Sequence, residues 1–177
     1  MKLRGIPDSG MRRIAQSSEE GLTLVHTSPE EFISMDTGEG LFGTFLFFVY
    51  GDRGDPSSSY SMTAASKYVH FIEVDPDALV KASSLWYDDN YKAAQPVVDE
   101  VMARFGVDEE TASDLLDESK NVFDYDGDGD DSWWVQHATA RAARLMGYQG
   151  VEVTDEQGSA VMVDMAGWEH QADAELS

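Results

Sequence analysis

The stretch Gly150-Val-Glu-Val-Thr-Asp-Glu-Gln-Gly-Ser-Ala-Val-Met-Val-Asp-Met165 decides the fold class. Apolar and polar side chains alternate on both sides of a polar break that contains Gly158. Because side chains alternate between the two faces of a strand, this period of two predicts a β-hairpin. The break places Asp155 and Glu156 side by side at a strand end, where they point in opposite directions. One of these acids can face a cleft while the other meets solvent, although a solvated turn is the simpler interpretation of the hairpin alone.

The rest of the chain alternates short strands with helices. Apolar runs predict strands at 22–28, 41–50 and 68–74, whereas spacing near 3.6 residues predicts helices at 91–105, 109–119 and 133–146. A short helix at 60–65, a turn at 77–81 and an extended piece at 84–87 complete the pattern. This order predicts an α+β domain over residues 22–170, preceded by an extension (1–21) and followed by a polar tail (171–177) that frays.

Composition bounds the function classes. The 177 residues carry 34 acids against 12 lysines and arginines, a formal net charge of −22. Because phosphate neutralisation supplies most nucleic-acid affinity, we expect no direct binding of DNA or RNA. The acidity fits solubility at high salt, imitation of nucleic-acid phosphates, or docking onto a basic protein. Zero cysteines exclude disulfides and thiolate metal sites, and no apolar run predicts a membrane span. The basic N-terminus has no apolar segment behind it, so we expect no signal peptide.

Several common catalytic and metal motifs are missing from the sequence. The four histidines lack zinc-site spacing, and neither a glycine-rich nucleotide loop nor a Gly-x-Ser-x-Gly elbow occurs. Residues 124–130 place acids like the start of a calcium loop, but Val135 replaces the Glu that closes the coordination shell. We therefore expect no metal site and interpret this run as a surface loop that caps the following helix, through Asp131 or Ser132.

What remains is an ordered set of polar and aromatic groups that resembles a known family. A His ends the first strand, aromatic residues fill the second, a Tyr follows on a short helix, and acids end the late hairpin. Together these residues resemble the phage anti-CRISPR mono-ADP-ribosyltransferases that inhibit type I-F CRISPR systems. The matching motifs run in order through most of the chain: His26-Thr-Ser-Pro29, Phe42-Gly-Thr-Phe-Leu-Phe-Phe48, Tyr60-Ser-Met-Thr-Ala64, residues 104–110, and Asp155-Glu-Gln-Gly158.

The resemblance implies a fold and a set of site residues. The fold would be α+β, with split antiparallel β-sheets that form an NAD cleft, flanked by helices. His26 would hydrogen-bond a ribose of NAD, the backbone at Thr27 would meet the nicotinamide amide, and Ser28 would be a further NAD-binding residue. Phe42, Gly43 and Phe45 would line the cleft, with Tyr60 against the nicotinamide ring. Asp155 would take the catalytic place, with Glu156 as the second choice for that role.

The chemistry of this family explains these residue types. Cleavage of the nicotinamide–ribose bond develops positive charge at the anomeric carbon, as in glycoside hydrolysis. A carboxylate placed beside the sugar stabilises that charge, and aromatic walls exclude water that would hydrolyse NAD. The resemblance implies modification of the PAM-recognising subunit of a type I-F surveillance complex, which would block its DNA binding in the cytoplasm of the bacterial host.

Two alternatives remain open. A protein with this acidity can instead occupy a basic nucleic-acid groove as a non-catalytic mimic of DNA. A transferase of the same chemistry can also modify an unrelated protein substrate, as bacterial toxins do.

Overall fold

A computed structural model describes most of the chain, namely residues 21–32, 42–51, 68–155, 158–168 and 173–176. The predicted short helix at 60–65, with its Tyr60, lies outside these residues. Glu156 and the first twenty residues of the predicted N-terminal extension lie outside them too.

The described strands form one seven-stranded sheet in the order β4-β5-β6-β2-β1-β3-β7. All neighbours are antiparallel except β4 and β5, which are parallel. The α+β class is as predicted, but the strands are continuous through β2 and do not form two separate sheets. Their bounds are Leu22–Ser28 (β1), Phe45–Tyr50 (β2), Tyr68–Val74 (β3), Leu79–Lys81 (β4), Gly150–Asp155 (β5), Gly158–Asp164 (β6) and Asp173–Leu176 (β7).

Strand β2 joins the two halves of this sheet because it pairs with a different partner at each end. Its first four residues pair with β6, from Phe45 with Asp164 to Phe48 with Val161. Its last two residues pair with β1. By contrast, β1 pairs with β3 along all seven of its residues. The halves are therefore connected through one short strand, and β1 and β2 separate where their two paired positions end.

Among the described residues, three α-helices cover one face of the sheet, on the side of β5 and β6. The core between them contains buried residues of β5 and β6 together with one-sided apolar stripes of the helices. The opposite face carries a smaller buried cluster of Leu24, Phe48, Ile72, Val74, Val161, Val163 and Met165. The helices are α1 (Gln95–Phe105), α2 (Glu109–Leu116) and α3 (Gly129–Leu145).

Helix α3 begins four residues earlier than the sequence predicted. Its N-cap is Asp128, whose side chain accepts the N–H of Asp131, and the Asp131 carboxylate in turn accepts the N–H of Asp128. This reciprocal capping box satisfies two donors at the helix start, whereas the predicted caps Asp131 and Ser132 lie inside the helix. Helix α2 likewise ends at Leu116 rather than at residue 119.

Other differences follow from contacts between distant segments. The predicted turn at 77–81 contains β4, which forms by parallel pairing with β5. The predicted extended piece at 84–87 is part of a 3₁₀ helix, Ala82–Tyr87. The polar tail does not fray throughout, because β7 pairs with the free edge of β3. Further 3₁₀ helices span Pro76–Ala78, Tyr91–Ala94 and Val122–Tyr125.

Truncation of Phe48 tests how much the buried side chain of β2 contributes to the stability of the fold. Its side chain is fully buried and its backbone pairs with Val161. We expect Phe48→Ala to lower the free energy of unfolding by about 3–5 kcal/mol, because it leaves a cavity in the core. Urea denaturation followed by circular dichroism measures this loss. Phe123→Ala is the matched control, since that ring is 57% exposed. Equal losses of unfolding free energy in both variants would contradict the placement of Phe48 in the core.

Candidate functional site

His26 lies where β1 and β2 separate. The last residue pair between these strands is Val25 with Val49, and His26 is the next residue of β1. Its Nδ1 lies 2.7 Å from the main-chain oxygen of Phe47, and its ring centroid lies 5.4 Å from that of Phe48. An imidazole thus takes the place of a strand N–H at the opening between the two strands.

The hydrogen bond fixes the tautomer of His26. A carbonyl oxygen only accepts, so Nδ1 carries the proton and Nε2 of the neutral ring keeps a lone pair. Burial is the main cause that lowers the pKa of His26; the bond to Phe47 acts in the opposite direction, and His70 lowers the pKa further. The ring is therefore neutral at pH 7 and offers one acceptor nitrogen, which suits a hydroxyl group of a sugar.

His70 is the cross-strand partner of His26 on β3. The two ring centroids lie 6.0 Å apart, and His70 is 1% exposed. Its Nε2 donates to the main-chain oxygen of Glu30 at 2.9 Å. Burial lowers the pKa of His70 as well, so the sheet holds two neutral imidazoles side by side.

The other predicted binding residues of β1 are adjacent to His26 in the strand. Thr27 pairs with Val69 and Ser28 with Tyr68. The hydroxyl of Ser28 accepts the N–H of Glu30 at 3.0 Å and so shapes the turn that follows the strand. This turn also supplies the carbonyl that His70 bonds, so the position of the His70 ring depends on its conformation.

Phe42, Gly43 and Phe45 come together before and at the start of β2, around a residue that the sequence did not single out. The rings of Phe42 and Phe45 lie 6.4 Å and 5.8 Å from that of His137 on α3, both edge-on. Gly43 has a φ of +58°, and a Cβ there would lie 3.6 Å from Nε2 of His137. Phe42 also packs edge-on against Phe47, with centroids 4.8 Å apart. The aromatic segment thus connects His26 with α3.

His137 belongs to a basic stripe on α3, together with Arg141 and Arg144. Arg141 forms a bidentate pair with Glu100, and Arg144 lies 5.1 Å over the ring of Phe45. Burial and then the two arginines lower the pKa of His137, while Glu100 raises it. Spacing of four and seven residues along one helix was the sequence signal for this stripe.

The structure does not bring Asp155 beside His26. Glu152 of β5 pairs with Val161, which pairs with Phe48, so Glu152 is the residue of β5 that lies level with Phe48. Asp155 lies three residues further along, and β5 is three strands away from β1. With a rise of about 3.3 Å and a strand spacing of about 4.8 Å, the two backbones are roughly 15–20 Å apart in the sheet.

Glu152 has a tyrosine partner that the sequence analysis missed. The hydroxyl of Tyr50 donates to its carboxylate at 2.9 Å. Burial, followed by this bond and the charge of Glu152, raises the pKa of Tyr50 to about 12. The register places Tyr50 and Glu152 on the same face of the sheet as His26. The pair is separated by 102 positions, so no local motif could have revealed it.

The acidic run at 124–130 serves to cap α3. Asp128 and Asp131 form the capping box, and Asp131 also pairs with Arg104 at 2.6 Å. Within the part of the chain that the structure describes, no group of three or more His, Asp or Glu side chains is arranged to hold a metal ion. Among the same residues, no helix is long and apolar enough to cross a membrane.

Comparison with known proteins gives one informative similarity. No protein-family model matches the chain, and no curated protein matches it. Among solved structures, the chain is similar to one titled "Crystal structure of an anti-CRISPR protein", with 21% identity and a TM-score of 0.55. The match covers 92% of this chain and 100% of that one. The chain therefore has a fold similar to that of this solved protein. At this identity the similarity establishes the fold alone.

The titration of the buried histidines tests the geometry of the cleft. His26 and His70 have lowered pKa values because burial disfavours their charged forms. The unfolded chain then binds more protons than the folded one below pH 6.5, so these groups weaken the fold as the pH falls through that range. NMR titration of the two imidazoles should give midpoints below 6.5. A midpoint at or above 6.5 for His26 would contradict its buried, carbonyl-bonded state.

Proposed function

We propose that this protein acts against CRISPR machinery as an NAD-dependent mono-ADP-ribosyltransferase. The observation that carries the proposal is its similarity of fold to an anti-CRISPR protein along the whole length of that chain. The ordered motifs from His26 to Gly158 support the chemistry, because they are the residues through which the sequence resembles transferases of this kind. By that resemblance, the specific target protein is the PAM-recognising subunit of a type I-F surveillance complex.

The opening between β1 and β2 supports a role in holding the dinucleotide. Nε2 of His26 offers an acceptor for a ribose hydroxyl, and the ring of Phe48 lies beside it. The rings of Phe42 and Phe47 pack edge-on against each other on the other face of the sheet, which the helices cover. Since His26 and the end of β5 are well separated, we assign them to different parts of the substrate: His26 to binding, and the hairpin acids to the sugar that reacts.

The proposed reaction is a transfer at the anomeric carbon of the nicotinamide ribose. The C–N bond breaks, and neutral nicotinamide leaves with the bonding electron pair. A nucleophilic side chain of the target then forms a bond to that carbon and loses its proton to water or to a carboxylate. Asp155, with Glu156 as the second candidate, stabilises the positive charge that develops on the sugar.

Transfer of label from NAD tests this proposal. The purified chain is incubated with radiolabelled NAD and a purified type I-F complex, and modified proteins are separated on a gel. We expect a labelled CRISPR subunit, and a loss of at least about 100-fold in Asp155→Ala, because a charge-stabilising group is removed. Asp117→Asn is the matched control for loss of one surface charge.

The outcomes separate the candidate carboxylates. Equal transfer by Asp155→Ala, with loss in Glu156→Ala, would assign the role to Glu156. An absence of label from every protein of the mixture, while the chain still inhibits the complex, would contradict the transferase. Label on a protein outside the CRISPR complex, identified by mass spectrometry, would point to the toxin-like alternative.

The net charge of −22 favours a second candidate, a non-catalytic mimic of DNA. Acids at the start of α2 and α3, including Glu109, Glu110 and Asp130, add to this surface. Inhibition by a mimic needs no NAD, survives Asp155→Ala, and weakens steeply with salt because it depends on charge. Inhibition by the transferase requires NAD and outlasts removal of the protein, because the modification is covalent.

A further inference from the structure

Glu118, two residues past the end of α2, has a backbone conformation that its side chain does not favour. Its φ is +66°, in the left-handed region, although it is not a glycine. There a Cβ crowds the following carbonyl oxygen, so residues other than glycine are uncommon unless other contacts hold them. The contact that holds Glu118 involves a strand far away in the sequence.

The carboxylate of Glu118 binds the main chain of β5. Both of its oxygens accept the N–H of Thr154, at 2.8 and 3.1 Å. Strand β4 accompanies β5 only as far as the pair of Lys81 with Glu152. Beyond that point Glu118 takes over the role of the missing strand, because a main-chain N–H at a sheet edge needs an acceptor.

Beside this contact the edge of the sheet is open. A cavity of about 290 Å³ lies where β4 ends, lined among others by Lys81, Glu118 and Thr154. Side-chain packing therefore does not fix the end of β5 on this side. Partial withdrawal from water is the main cause that raises the pKa of Glu118, and the bonds to Thr154 oppose that effect. A charged acceptor makes the contact stronger than an ordinary hydrogen bond.

We infer that Glu118 is a positioning residue of the transferase: its carboxylate fixes the end of β5 and, with it, the backbone of Asp155. This inference rests on the function proposed above. Thr154 immediately precedes Asp155, so the anchored amide is one residue from the proposed catalytic carboxylate. A displacement of about 1 Å in such a group lowers rates by about 100-fold.

Glu118→Gly separates this role from an effect on folding. Glycine adopts positive φ without strain, so we expect the melting temperature to stay the same or rise while the anchor is lost. Glu118→Gln keeps one oxygen that can accept the Thr154 N–H and should partly rescue activity. Asp117→Asn is the matched control, because Asp117 lines the same cavity and loses the same charge but accepts the N–H of Ser119.

Two measurements test the inference. Hydrogen exchange by NMR should show faster exchange at the Thr154 amide in Glu118→Gly and unchanged exchange in Asp117→Asn, whether or not the chain is an enzyme. Steady-state transfer should show kcat lowered by about 10- to 100-fold in Glu118→Gly, with KM for NAD unchanged. The change is confined to kcat because His26 lies on a different strand and its contacts are retained.

Each contrary result would overturn a different part of the inference. Unchanged exchange at Thr154 in Glu118→Gly would overturn the anchor itself. Faster exchange with an unchanged kcat would overturn the positioning role while leaving the proposed function intact. If the unaltered chain transfers no ADP-ribose to any protein, the proposed function fails and the positioning role fails with it, even where exchange shows the anchor.

Discussion

The hydrogen bond from Nδ1 of His26 to the carbonyl oxygen of Phe47 is the contact on which the arrangement of the cleft depends. Strand β2 pairs with β6 over its first four residues and with β1 over its last two, so β1 and β2 are paired at two positions. Where they separate, a main-chain carbonyl would lose its partner. The imidazole supplies that partner and keeps the two strands at a fixed separation without closing the gap.

Further contacts hold the two strands that this hydrogen bond connects. On β1, complete pairing with β3 places His70 beside His26, and the Glu30 carbonyl fixes the second ring. On β2, the aromatic segment that carries Phe47 extends back through Phe42 to His137 of α3. The two neutral imidazoles lie on the face of the sheet that carries Leu24 and Phe48, whereas the rings of Phe42 and Phe47 pack on the face that the helices cover.

The elements that could be predicted from the sequence are those that a local pattern determines. The hairpin at 150–165 and the strands β1 and β3 follow from alternation and dense β-branched or aromatic residues, which need no information about neighbours. Strand β4 could not be predicted, because three residues carry no period and form a strand only through β5. The predicted start of α3 was wrong because five aspartates lie within residues 124–131 and Asp is a good cap. Only the reciprocal bonds of Asp128 and Asp131 identify the actual cap.

The local grouping of the candidate residues was predictable for the same reason, whereas their roles stay predictions. His26, Thr27, Ser28, Phe42, Gly43 and Phe45 come from two continuous motifs, and each of these motifs stays together in the fold. The contacts that connect distant segments were missed: Tyr50 with Glu152, His137 with Gly43, and Glu118 with Thr154. Charge and hydrogen-bonding capacity at those positions were visible in the sequence, but their partners depend on strand order. The catalytic role of Asp155 stays a prediction, since the fold separates it from His26.

The most direct test of the central claim is a crystal structure of the chain grown with NAD. If the opening between β1 and β2 is the dinucleotide site, density for a ribose should lie within hydrogen-bonding distance of Nε2 of His26, with the bond from Nδ1 to Phe47 retained. Density for NAD elsewhere on the protein, with the gap beside His26 unchanged, would contradict the account.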